Sequence, residues 1–287
     1  MKKIIALFLV LTFVVAFAAS CGNNTTPTPD LTKTPSTATT TEGSSATTTE
    51  GGDSTTGTTT SPAQTTTEPT LDKYREIQDG DFVYRIMRDE NGDFSYVVIK
   101  KYCSEDESLV VPAVYTYQGK ALSITEIGVL GNIGASSKGL SGVKEIAIAG
   151  SVKVINRTAF FSAINAEKVV FAEGLETIGD MAFWLCAKLK DFTLPSTLKE
   201  IGENAFAGCE SIETLVIPSS VKTIGKGAFS GCTSLETLVI PSSVETIGDG
   251  AFAGCTSLKS VTIPEKFRAQ QESIFAGCTN LEITYVG

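Results

Sequence analysis

Histidine is absent from all 287 residues. Without it, the Ser-His-Asp and Cys-His nucleophile systems and the histidine-based zinc sites are closed. Runs of Lys and Arg are also missing, and the formal net charge is −9. Such a surface repels phosphate backbones, so nucleic acid is not an expected partner. The seven cysteines contain no C-x-x-C pair, which removes the usual thiol signature of a metal or redox centre. Aromatic residues disappear altogether between positions 22 and 70. That stretch holds 21 Thr, 5 Ser, 5 Pro and 5 Gly, and it cannot bury enough apolar area to offset the entropy of ordering it.

What is present begins with a leader. Lys2 and Lys3 precede an apolar run from Ile4 to Phe17, followed by small residues. This is the layout of a secretory signal peptide over residues 1–20, and the run is short for a membrane span of about 20 residues. Ala18-Ala19-Ser20-Cys21 resembles a bacterial lipobox, with Ala18 where Leu is usual. The resemblance implies lipidation of Cys21 and anchoring to the membrane through that lipid. Residues 21–70 then form the lipidated cysteine and a disordered stalk. As a flexible coil the stalk reaches roughly 35–40 Å, and stretched toward polyproline II about 150 Å.

Residues 71–110 read as a β-hairpin cap. "DFVYRI" from Asp81 and "FSYVVI" from Phe94 are rich in β-formers, and Asn91-Gly92 between them is a turn signal. Cys103 is expected to be buried in this cap. Residues 111–287 form a repeat solenoid. Phe160, Phe183, Phe206, Phe229, Phe252 and Phe275 lie 23 residues apart, as do Cys186, Cys209, Cys232, Cys255 and Cys278. Pro195, Pro218, Pro241 and Pro264 keep the same step, as do Gly179, Gly202, Gly225 and Gly248. A period of this length means stacked coils, each burying its apolar face on the next. In "LETLVIP", Leu238 and Ile240 face inward on a short strand that Pro241 ends. Gly248 and its equivalents are expected to take positive φ, with Asn156 standing in at the earliest of these turns. Val111-Pro112 and Ile127-Gly128 look like the same landmarks with insertions, and the hairpin is expected to cover the first coil.

The unit, with I-P, then I-G, then A-F-x-G-C, resembles the BspA-like, treponemal-type leucine-rich repeat family. The resemblance spans about Phe82 to Gly287. It implies a curved solenoid of short parallel strands, on surface or secreted bacterial proteins that bind host or bacterial partners.

Catalytic, metal and cofactor residues are not expected. The cysteines read as a core ladder, since free Cys packs as a small hydrophobe. Two surfaces remain as binding candidates. On the strand face Val170, Thr193, Val216, Val239 and Thr262 alternate outward and stack into a stripe, which is either plain β-propensity or a platform for a partner. Beside the phenylalanine column, Phe161 and Trp184 occupy a position that is small in later coils: exposed, they form a pair of anchors; inward, they are core variants. The expected protein is therefore a lipid-anchored lipoprotein on the extracellular face of a bacterial cell, and not an enzyme. Its solenoid would bind a host matrix or other surface protein, or a glycan, in adhesion. The alternatives are a structural component of the envelope and, last, a glycan-active enzyme.

Overall fold

The structure, a computed structural model, describes residues 73–130 and 139–287. The leader, the Thr-rich segment and Cys21 lie outside the described residues.

The cap contains three strands: β1 (Tyr74–Asp79), β2 (Phe82–Arg88) and β3 (Phe94–Tyr102). They pair antiparallel in chain order. The expected hairpin is β2–β3. The added β1 turns back at Gly80, whose φ is +55°. The cap adjoins the first coil, and its inward residues Phe82, Tyr84 and Ile86 share one core with Val111 and Ile127. It continues the solenoid's sheet edge to edge, with β3 parallel to β6 (Lys120–Ile127). Between them come β4 (Ser108–Val111) and β5 (Val114–Tyr117). The insertion from Ala113 to Ser123 is thus a hairpin of β5 with the first half of β6. Val111 sits opposite Ile148 and Ile127 opposite Ile155, so these landmarks are in register with the later coils.

Each coil contributes two short strands. The first row is β7 (Glu145–Ile148), β9 (Lys168–Phe171), β11 (Asp191–Phe192), β13 (Thr214–Val216), β15 (Thr237–Val239) and β17 (Ser260–Pro264). The second row interleaves as β8 (Val154–Ile155), β10 (Thr177–Ile178), β12 (Glu200–Ile201), β14 (Thr223–Ile224) and β16 (Thr246–Ile247). A final β18 (Glu282–Val286) pairs with β17. Paired coils within the two rows are parallel and in register at the 23-residue step, for example Leu215 with Leu238 and Ile201 with Ile224, while β18 pairs with β17 at a step of 22. The second row joins the cap in one ten-stranded sheet. The first row is broken between β11 and β13. The break coincides with Phe192 in the slot that Leu215 and Leu238 fill, its ring stacked on Phe206 at 5.4 Å.

The third side of each coil is also a hydrogen-bonded column. Phe183 N–H donates to the Ala205 carbonyl at 2.7 Å, Phe206 to Ala228 at 2.7 Å and Phe229 to Ala251 at 2.7 Å. Inside it the phenylalanines stack, with centroids 4.9 to 5.8 Å apart from Phe160 to Phe275. That spacing follows from paired parallel strands about 4.8 Å apart.

Gly225 corrects one expectation. Neither it nor its equivalents has positive φ. A Cβ there would lie 2.5 Å from the Gly202 carbonyl carbon, so glycine is required by close approach of one coil to the next. The left-handed residues stand two and six positions after it, at Gly227 (φ +61°) and Gly231 (φ +73°). At the last coil, where Gln270-Gln271 replace Ile-Gly, a 3-10 helix (Glu265–Gln270) and one α-helical turn (Gln271–Ile274) bury Phe267 and Ile274.

Candidate functional site

The strand-face stripe exists as a registered row. Val216, Val239 and Thr262 are mutual partners on β13, β15 and β17, and Thr284 on β18 continues them. Leu215, Leu238 and Val261 are buried beneath. Val216 is 75% exposed and Val239 61%, the largest values among the exposed large hydrophobic residues described. Thr193 is exposed, but it stands next to the break in the row, while Val170 and Thr262 are half-buried. The five positions are therefore one continuous platform only from Val216 onward.

Phe161 and Trp184 face neither core nor open water: both are half-buried, with ring centroids 5.2 Å apart and planes tilted by 56°. They do not stand alone. Ile164, three residues after Phe161, is 47% exposed, and Leu185, next to Trp184 in the chain, is 43% exposed. The backbone beneath them is unusual. Leu185 has φ +61° and Met181 φ +54°. The same columns carry Gly208, Gly231, Gly254 and Gly277, and Gly227 and Gly250, in later coils. A left-handed conformation costs a branched L-residue roughly 1–2 kcal/mol, and Leu185 gains no core burial in return. Its side chain lies over the next coil, where a Cβ at Gly208 would approach its Cδ2 to 2.9 Å. The sequence signal was present in the column itself, Ser162-Leu185-Gly208-Gly231-Gly254-Gly277, but it is readable only once φ is known.

All six described cysteines are free. Cys186, Cys209, Cys232 and Cys255 are fully buried, each thiol donating to the carbonyl of the preceding coil's phenylalanine at 3.2–3.5 Å. Burial pushes the Cys232 thiol up to about 12. At the open end Cys278 is half-buried, and its thiol donates to the Phe252 carbonyl at 3.2 Å; the neighbouring Cys255 thiol lowers it to about 7, with burial opposing. Cys103, expected to be buried, is exposed: it follows Tyr102, which takes the inward place at the end of β3.

Charged side chains couple the coils only loosely. Lys199–Glu176, Lys222–Glu245 and Lys259–Glu236 pair across one 23-residue step, all substantially exposed. Such pairs contribute at most about 1 kcal/mol each.

Residues 1–91 match a model of the new glue protein family. No curated protein matches the chain. Among solved structures, a leucine-rich repeat protein from Bacteroides ovatus is 22% identical, with a TM-score of 0.40, over 76% of this chain and 71% of that one. The T. pallidum leucine rich repeat protein is 26% identical, with a TM-score of 0.45, over 73% and 81%. A leucine rich cell surface protein from Faecalibacterium prausnitzii is 16% identical, with a TM-score of 0.26, over 74% and 95%. Residues 138–283, half of the chain, match six copies of the BspA type leucine rich repeat region. With that repeat written through every strand row and the phenylalanine column, the chain belongs to the BspA-type leucine-rich repeat family.

Proposed function

We propose that this chain is a surface-presented binding protein that docks a partner protein on the turn side of its coils, around Phe161, Ile164, Trp184 and Leu185. The observation that carries the reading is the left-handed backbone of Leu185 beneath a half-exposed Phe161–Trp184 pair. Strain without core burial is tolerated where a surface is used. Trp and its aromatic neighbours are the residues that most often anchor protein interfaces. Presentation rests on the sequence. Cys21 takes the lipid, residues 22–70 space the solenoid from the bacterial membrane, and the partner is a host matrix or other surface protein in an adhesive contact.

A second reading is favoured by one observation, the 75% exposure of Val216 beside Val239 on a flat registered row. The two are separated by binding of the purified chain to immobilised fibronectin, laminin and collagen. Phe161→Ser with Trp184→Ser is expected to weaken capture tenfold or more, as loss of about 2 kcal/mol at anchors does. Val216→Lys with Val239→Lys is expected to leave it unchanged. The reverse result moves the site to the strand face. A wild-type chain that binds none of the three favours the envelope-component reading instead. Cys21→Ala is expected to release the protein from the membrane fraction, and unchanged fractionation sinks the lipid anchor.

A further inference from the structure

Where the cap meets the coils, the outward face of the ten-stranded sheet carries an open depression of about 380 Å³. That is near the lower end of the volumes that hold small ligands, roughly 300–1,000 Å³. Its floor is apolar. Val98 points outward between Tyr96 and Lys100 by strand alternation, yet it is only 8% exposed. Met87 and Tyr96, cross-strand partners, line the floor beside it.

Three cations from three separate segments stand around this floor: Arg85 on β2, Lys100 on β3 and Arg157 in the turn after β8. One carboxylate joins them, Glu126 on β6, in register with Val98. Glu126 Oε2 accepts from Asn156 Nδ2 at 3.2 Å. Arg85 Nε donates to Glu76 Oε1 at 2.9 Å. Among the described residues, neither Lys100 nor Arg157 has an ion-pair partner. With Arg85 ion-paired to Glu76, the positive charge left free over the apolar base rests on Lys100 and Arg157, opposed by Glu126, on a chain of net charge −9.

An anion entering the depression would find Lys100 and Arg157 without ion-pair partners among the described residues, and the Arg157 fork matches a carboxylate or sulfate. The floor suits the carbon face of a ring. An acidic peptide fits less well, because β2, β3, β6 and β8 are all interior strands of the sheet and offer no free edge for main-chain pairing. We propose that this depression binds an acidic sugar unit of a glycan, a uronate or a sulfated hexose. Its anionic group sits between Lys100 and Arg157, and its ring lies over Tyr96 and Val98. The site is separate from the docking surface around Trp184 and stands or falls independently of it.

Calorimetry on the full chain with a chondroitin sulfate hexasaccharide tests this. The controls are its desulfated, carboxyl-reduced counterpart, inorganic sulfate and hexaglutamate. The acidic hexasaccharide is expected to bind at least tenfold tighter than each control. Lys100→Met and Arg157→Gln are each expected to weaken it about tenfold, the scale of one charge-assisted hydrogen bond. Tyr96→Ala is expected to weaken the saccharide but not sulfate. Glu126→Gln removes the one opposing charge lining the depression and is expected to tighten binding roughly threefold. This opposite sign cannot arise from misfolding. Saccharide binding unchanged in Lys100→Met and Arg157→Gln overturns the proposal. So does sulfate binding as tightly as the saccharide, hexaglutamate binding more tightly, or no saccharide binding at all.

Discussion

The coils from Pro195 to Pro264 and the coils before them are built on one 23-residue unit and differ in what they do with it. In the later coils every left-handed position but Asn204 is glycine, and the residue after the ladder phenylalanine is Ala or Ser. In the earlier coils the left-handed columns carry Thr158, Ser162, Met181 and Leu185, and Phe161 and Trp184 follow the ladder. Further forward, the sheet accepts an inserted hairpin and three cap strands. The regular half minimises local cost at each position. The irregular half accepts strain and half-exposed aromatics, and both candidate binding sites on that half lie where the repeat departs from its own rule. A repeat protein thus marks its special surfaces by contrast with its neighbours.

The sharpest break in the comparison comes from removing what both halves share. Phe229 is fully buried between Phe206 and Phe252, with centroids 5.3 Å away on each side. Phe229→Ala is expected to cost roughly 3–5 kcal/mol. Trp184→Ala, on the turn side, is expected to cost well under half as much. Chemical denaturation of the two variants decides it, and equal losses would mean that Trp184 is core.

How far the letters reached follows the same division. The phenylalanine and cysteine columns were legible because identical side chains at a fixed step must stack once the coils do. Register at Val111 and Ile127 survived the insertions because hydrophobic landmarks set it. Three things were not legible. The second strand row is only two residues per coil, too short for a period-2 pattern. The role of Gly225 depends on the distance to a neighbouring coil, and glycine at a close approach looks the same in sequence as glycine at positive φ. The cationic depression draws Arg85, Lys100 and Arg157 from three distant segments, so a search for basic runs passes over it.

A smaller effect tests the glycine column. Gly225→Ala puts a methyl group against backbone that has no side chain to move aside, 2.5 Å from the Gly202 carbonyl carbon. The expected loss is about 1–3 kcal/mol, the range for overpacking. Gly231→Ala would meet nothing nearer than 3.7 Å, so its cost is that of positive φ alone, roughly 1–2 kcal/mol. Paired thermal melts of these two variants separate close approach from backbone handedness. If Gly225→Ala melts with wild type, the coils are looser than their spacing indicates.

Leu185→Gly converts the irregular coil to the rule of its neighbours. The gain is relief of the left-handed strain, about 1 kcal/mol, set against lost contact over Gly208 and a freer unfolded chain. The net change in stability is expected to lie within about 1 kcal/mol of zero, while partner capture at the Phe161–Trp184 surface falls. A loss of 3 kcal/mol or more would place Leu185 in the core and remove the argument from strain.

The smallest structural perturbation compares the interior of the thiol column with its C-terminal end. The interior thiols, like that of Cys278, donate to phenylalanine carbonyls, but burial pushes the Cys209 and Cys232 thiols up, so their alkylation by iodoacetamide requires unfolding. Cys278 is half-buried at the end of the column, with its thiol lowered to about 7. Because the thiolate is the nucleophile, its alkylation is expected to rise with pH through about 7 and then level off. Cys103, exposed on the cap, supplies the reference for access. Mass spectrometry after a short pulse of reagent resolves the sites. Equal labelling of Cys232 and Cys278 in the folded protein would mean that the column opens along its whole length, and the distinction between a closed interior and an open end would fall with it.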